Sequence, residues 1–349
     1  MKFHPDYRNI LDAAYNRQPK RLPLYEHSIH PSVMEKILGE SFAHLYDTDK
    51  DACFRTYCRF FQEMGYDTVS FEGGIGPAMP GSGALGNHKE GVIKEREDYE
   101  AYPWDTILDR YFALYREDFR ALRRQMPEGM KAIGGVGNGI FECVQDIVGY
   151  VDLCYIREDD PELYAGLFQR MGEAQCAVWK RFMEEFAEAF CVLRFGDDLG
   201  FHTATLLPHD DIRAHILPVY RQITDMVHAK GKPFLLHSCG NLFAMFDDII
   251  ALANIDAKHS NEDSIAPFPV WVEKYGDRIG NFGGIDTDVL CRYDESYIRK
   301  YVFDCLDAVK GCGGIAFSSG NSIPDYVPTA GYLAMIEAVR DWRGDPLEG

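Results

Sequence analysis

The chain has 349 residues, 46% of them hydrophobic, and its 36 lysines and arginines stand against 55 aspartates and glutamates for a formal net charge of −19. That length accommodates one large α/β barrel or two ordinary domains, with ample apolar material for a buried core. The acidity speaks against nucleic-acid, anionic-membrane and polyanionic partners, because no Lys/Arg-rich segment is present to neutralise phosphates. The opening MKFHPDYRNILDAAYNRQPKR lacks the continuous apolar segment of a signal peptide. No stretch approaches the ~18 apolar residues of a spanning helix, so a cytoplasmic location is expected. Ten cysteines are scattered without a C-x-x-C pair, which argues against a disulfide framework and a structural zinc ribbon.

Short β-rich runs alternate with longer helical patterns, the order that builds a parallel sheet. In chain order the expected strands are LPLYEH (22–27), DTVSFEGG (67–74), KAIGGVGNG (131–139), CVLRFGDD (191–198), PFLLHSCGN (233–241), DAKHSNE (256–262), IGNFGGID (279–286) and GIAFSSGNS (314–322). The helices between them are amphipathic. After Asp210 and Asp211, one stripe holds Ile212, Ile216, Val219, Tyr220, Ile223 and Val227; after Asp294, another holds Ile298, Tyr301, Val302, Cys305 and Val309. No composition shift, low-complexity tract or repeat marks a second domain. Residues 1–349 therefore read as a single α/β domain, a (β/α)₈ TIM-type barrel with extra helices after the second and third strands.

In such a barrel the chemistry sits on the loops that follow the strands. Here the strand ends turn from apolar to titratable or amide: Glu26, His27 and His30; Glu72; Asn138; Asp197 and Asp198; His237, Cys239 and Asn241; His259, Asn261 and Glu262; Asp286; Ser318, Ser319 and Asn321. Among them Glu72, Asp197, Asp198, His259, Glu262 and Asn321 are candidate catalytic groups. Asn138, Asn241, Asp286 and Ser319 are candidates for holding a cofactor.

The stretch LLHSCGNLF (235–243) carries the sharpest signal. If Leu235 to Cys239 is extended, His237 and Cys239 point the same way, because residues two apart share a face. The pair is either a core histidine beside a small buried thiol or two ligands of a catalytic zinc, which takes three protein ligands and leaves one position open. Glu72, Asp197, Asp198, His259 and Glu262 are all chemically suited to be the third. Adjacent strand residues cannot both point inward, so at most one of Asp197 and Asp198 serves. GGVGNG (134–139) and GGIGPAMPGSG (73–83) fit neither G-x-G-x-x-G nor the P-loop spacing and read as tight barrel turns.

The order RLPLYEHSIH, GYDTVSFEGG, FGDDLG, HSCGN, YGDRIGNFGGIDTDVL, GGIAFSSGNSIPDYVP resembles the uroporphyrinogen decarboxylase superfamily along most of the chain, most strongly over residues 190–342. The resemblance implies a TIM-type barrel and one of two activities: decarboxylation of a porphyrinogen, or methyl transfer to or from a corrinoid with zinc held by an H-x-C motif and a later cysteine. The decarboxylase branch implies arginines in the first loop, whereas YEHSIH supplies none and no arginine lies between Leu22 and Cys53. Its pyrrole-binding Asp is matched at best by Glu72, and its late histidine falls on Asn321. The methyltransferase branch retains His237 and Cys239, while its later cysteine also falls near Asn321. A carboxylate from Glu72, Asp197 or Asp198 would then complete a harder, more Lewis-acidic site.

The resemblance therefore implies a zinc-assisted methyltransferase of one-carbon metabolism. It would move a methyl group between a small substrate (methyl ether, alcohol or thiol) and a corrinoid (cobalamin-type cofactor) carried by a partner protein. A metal-free uroporphyrinogen decarboxylase and a non-catalytic corrinoid- or tetrapyrrole-binding protein are the alternatives.

Overall fold

The computed structural model describes residues 3–86 and 89–345. Seven parallel strands, β1 (Thr68–Gly74), β2 (Lys131–Gly137), β3 (Phe190–Gly196), β4 (Phe234–His237), β5 (Ala257–His259), β6 (Gly280–Ile285) and β7 (Ile315–Ser319), pair in chain order in one curled sheet. Each connection is long enough to carry helix back across the sheet, as parallel pairing requires. The expected stripes form: Ile212, Ile216, Val219, Tyr220, Ile223 and Val227 are all buried, and Asp294 caps the helix Glu295–Ala308 by accepting from Tyr297 N at 2.9 Å. Extra helices follow β1 and β2, the second and third runs in the sequence, among them Ile107–Gln125 and Pro161–Glu185. No helix among the described residues is long and apolar enough to cross a membrane.

The first expected strand, 22–27, does not form a ladder. It joins β7 through a single bridge, Leu24 to Phe317, with Tyr25 N donating to Phe317 O at 2.9 Å and Phe317 N to Pro23 O at 3.0 Å, and a second bridge, Ile29 to Ile323, follows beyond both segments. Pro23 has no N–H to give a second strand, and Pro31 opens the helix Pro31–Leu38, which ends the extended segment. On the other side this segment meets β1 through side chains, Ser70 Oγ donating to the Glu26 carbonyl. The ring is a seven-stranded ladder with an extended segment in the eighth place.

β4 and β5 are shorter than their sequence runs. Gly240, at φ 87°, turns the chain after Cys239 and lies so close to Gly200 that an added Cβ would sit 2.2 Å from its carbonyl carbon. Only glycine fits that approach at that φ.

Alternation along the strands divides the barrel interior into two levels. The lower holds Ile133, Val192, Leu235, Ala257, Phe282 and Ala316, closed from below by Ile10, Ala13 and Ala14 of the helix Arg8–Ala14. The upper, two residues further along, holds Glu72, Arg194, His237, His259 and Ser318. Glycines on β2 and β3 make room there: a Cβ on Gly137 would meet Glu72 Oε1 at 2.9 Å, and one on Gly196 would meet the His237 ring at 3.3 Å.

Candidate metal centre at the barrel mouth

His237 ends β4, and Cys239, two residues on, turns to the same side: Cys239 Sγ lies 3.4 Å from His237 Nε2. Asp198, just past the end of β3, brings Oδ1 to 3.8 Å from the same nitrogen and accepts Cys239 N at 2.9 Å. These three donor atoms all lie within 4.8 Å of one another. A tetrahedral zinc with bonds of about 2.0–2.3 Å sets its ligand atoms roughly 3.3–3.6 Å apart, so the trio fits zinc with a small adjustment of Asp198. Asp198 is the freest to move, its side chain being 42% exposed.

The hydrogen bonds around the trio fix the protonation it needs. His259 Nε2 lies 3.1 Å from the Ser319 carbonyl, which can only accept, so that nitrogen carries the proton. His259 Nδ1 is then the acceptor, and His237 Nδ1, 2.7 Å away, is the donor. What is left on His237 is a bare Nε2 lone pair facing Cys239 and Asp198, the tautomer a metal requires. Burial pulls His237 down to about 4 against the opposing pull of Asp198, and depresses His259 and His27 as well, so the imidazoles are neutral at neutral pH. Burial, then the Asp198 charge, pushes the Cys239 thiol up. Asn321 Nδ2 donates to its sulfur at 3.2 Å and favours the thiolate, as a bound cation would, while the one hydroxyl hydrogen of Ser260 is shared between the sulfur at 3.7 Å and the Ser238 carbonyl at 3.1 Å.

A second trio, His27, His237 and His259, also brings ring nitrogens within 4.8 Å. It is a poor ligand set. His27 stacks on His237 with centroids 3.9 Å apart and planes 26° from parallel, so their in-plane lone pairs do not converge, and the Nδ1 atoms of His237 and His259 are spent on each other.

The other candidates fall elsewhere. Asp197 points away from the mouth into the helical layer, where it accepts Phe141 N, Glu142 N and the Tyr220 hydroxyl at 3.1, 2.9 and 2.6 Å. Glu72 is bound to Arg194, whose Nε and Nη2 both reach Oε2, at 3.0 and 2.7 Å. Neither is free to complete the trio. Glu262 makes no side-chain bond to it. Asn138 bonds Glu142 at 3.1 Å, and Asn241 accepts its own loop's Phe243 N at 3.3 Å. Asp286 caps the helix Thr287–Arg292 and accepts Asp263 N at 2.8 Å. Ser319 donates to Glu26 through N and Oγ, at 2.8 and 2.6 Å. Asn321 reaches the centre as a donor to sulfur.

Arg194 and His27 carry only weak local signals in the sequence. Arg194 is 1% exposed, bonded also to the Tyr25 hydroxyl at 2.8 Å, and its signal was a cation in the apolar run CVLRFG, two residues from Val192 and so on the inner face. His27 was visible as a strand end, but its stacking on His237 depends on the register between distant segments.

Over the whole chain the fold is similar to that of a methyltransferase from Methanosarcina mazei, with 14% identity, a TM-score of 0.69, and coverage of 97% of this chain and 99% of that one. A putative vitamin-B12 independent methionine synthase from Listeria monocytogenes is less alike, at 14% identity and a TM-score of 0.49 over 93% of this chain and 99% of the other. No curated protein matches the sequence. The family model described as uroporphyrinogen decarboxylase (URO-D) matches residues 7–342. The chain belongs to the uroporphyrinogen decarboxylase family.

Proposed function

We propose that the protein is a methyltransferase that moves a methyl group between a small substrate and a corrinoid held by a partner protein, with zinc bound by Asp198, His237 and Cys239. The observation that carries the reading is the convergence of one carboxylate, one imidazole and one thiol at the mouth, with the His237 tautomer set by His259. The likeness in fold to the Methanosarcina methyltransferase supports it. Bound zinc would polarise the heteroatom that carries or receives the methyl group. The chain's own contribution is to hold that position. His259 keeps the His237 lone pair outward, Asn321 and Ser260 hold the sulfur, and Asp198 supplies a hard oxygen ligand suited to an ether or alcohol oxygen. The decarboxylase alternative asks a polycarboxylate to enter a mouth that presents Asp198 and Glu72, with Arg194 already neutralised by Glu72.

The test is elemental analysis of protein prepared with added zinc, beside the Cys239→Ala variant, followed by methylation of cob(I)alamin from a methyl ether donor. About one zinc per chain, lost in the variant, is expected. Equal and negligible zinc in both would sink the reading, and turnover of uroporphyrinogen to coproporphyrinogen at an ordinary enzyme rate would replace it.

A further inference from the structure

Beside the metal centre, one imidazole away, lies a cavity of about 510 Å³. Its walls are apolar and largely aromatic: Ile29, Phe42, Phe54, Tyr57 and Phe71. Phe54 packs edge-on to Phe71 at 5.1 Å and to Tyr57 at 6.0 Å, so a further ring entering the cavity meets both ring faces and ring edges. His27 lines one side and is the same ring that stacks on His237, placing a bound molecule against the metal trio.

The polar groups decide the kind of molecule. Arg194 lines the cavity but its charge is paired, its guanidinium bonded to Glu72 Oε2 and the Tyr25 hydroxyl. Tyr57 spends its hydroxyl on the Ser70 carbonyl at 2.6 Å. Glu72 Oε1 takes no hydrogen bond from the described residues, with His27 Nε2 the nearest partner at 3.8 Å, and the side chain is 23% exposed. Asp47 adds a second carboxylate at the rim. Among the described residues the cavity therefore offers aromatic walls, a carboxylate acceptor in Glu72 Oε1 with Asp47 at the rim, the unpartnered Nδ1 of His27, and no unpaired cation. A partly buried carboxylate oxygen without a partner rewards a donor and repels an anion.

We infer that this cavity binds the small-molecule substrate, and that the substrate is a neutral hydroxylated aromatic compound whose hydroxyl donates to Glu72 Oε1 while its ring packs against Phe54 and Phe71. The inference rests on the methyl-transfer reading only for what happens after binding. Glu72 is thereby a substrate-orienting group and not the third metal ligand.

The experiment is ligand-observed NMR with phenol, toluene and benzoate as probes, on the full chain prepared with zinc. Phenol is expected to bind, toluene at least tenfold more weakly, and benzoate not at the same concentrations. Ala43→Trp, a substitution at the half-exposed rim that fills the cavity, is expected to abolish phenol binding and to leave zinc content unchanged. Glu72→Gln, which keeps the shape but commits its amide oxygen to Arg194 and puts an N–H donor in place of Oε1, is expected to weaken phenol about tenfold. Circular dichroism establishes that each variant is folded. Benzoate binding as tightly as phenol, toluene matching phenol, or phenol binding undiminished in Ala43→Trp would each overturn the inference, as would no binding of any probe. Phenol binding without zinc would leave the cavity in place and remove the metal centre; zinc without phenol binding would do the reverse.

Discussion

Leu235 and His237 stand two residues apart on one strand and face the same interior, yet they belong to regions with opposite physics. At Leu235 the barrel is closed by aliphatic and aromatic side chains from six strands and sealed by the N-terminal helix. Each such side chain stabilises by its burial, typically about 1.5–3 kcal/mol. At His237 the interior is polar, and most of its groups are satisfied by one another: Arg194 by Glu72 and Tyr25, His259 by His237 and the Ser319 carbonyl, Glu26 by Ser319, with His27 Nδ1 left unpartnered among the described residues. Buried polar networks of this kind add little net stability, because desolvation offsets most of what the bonds return, but breaking one leaves a group unpaired. The lower level holds the fold, and the upper holds a few atoms in place.

Loss of metal is the largest effect that this contrast predicts. His237→Ala and Cys239→Ala should each reduce zinc from about one per chain to a negligible fraction, measured by elemental analysis, with little change in the thermal unfolding of the metal-free protein for Cys239→Ala and a modest loss for His237→Ala, which leaves His259 Nδ1 unpaired. Retention of zinc in both would place the centre elsewhere. Leu235→Ala, two residues away, should do the opposite. A stability loss of about 2–5 kcal/mol by denaturant unfolding is expected, with zinc per folded chain unchanged.

Next comes a dependence on pH. Burial raises Glu26 from an ordinary 4.5 to about 8, although both hydrogen bonds from Ser319 oppose it. A carboxyl raised on folding binds its proton more tightly in the native state. Its contribution is full below about pH 4.5 and is lost as pH rises through about 8, a total on the order of a few kcal/mol. Comparing urea midpoints at pH 5 and pH 8, wild type should lose more stability than Glu26→Gln. Equal slopes would mean that Glu26 is ionised in the folded protein.

The smallest effect concerns His259. Its replacement by Phe removes the acceptor for His237 Nδ1–H and should weaken zinc about 10- to 100-fold in competition with a chelator, while Gln, whose amide oxygen can still accept, should lose less. An unchanged competition curve for the Phe variant would show that His237 is oriented without the relay.

Much of this molecule was legible in the chain. Eight β-rich runs and the stripes between them announced a barrel, because alternation and the 3.6-residue period are local consequences of backbone geometry. The shared direction of His237 and Cys239, and the rule that only one of Asp197 and Asp198 can face the mouth, are equally local. Which aspartate turned inward was not. It follows from where Phe141 N, Glu142 N and the Tyr220 hydroxyl stand to receive Asp197, groups brought there by a different helix or by one 23 residues on. Likewise, nothing near Glu72 in the sequence told of Arg194, 122 residues later, which takes that carboxylate out of the candidate metal trio and holds it at the wall of the aromatic cavity. His259 gained its meaning from β4–β5 register, which sets it opposite His237. A strand's period assigns a side chain to a face, whereas a ligand, a cap or a relay is defined by partners, and partners are chosen only when distant segments close the ring.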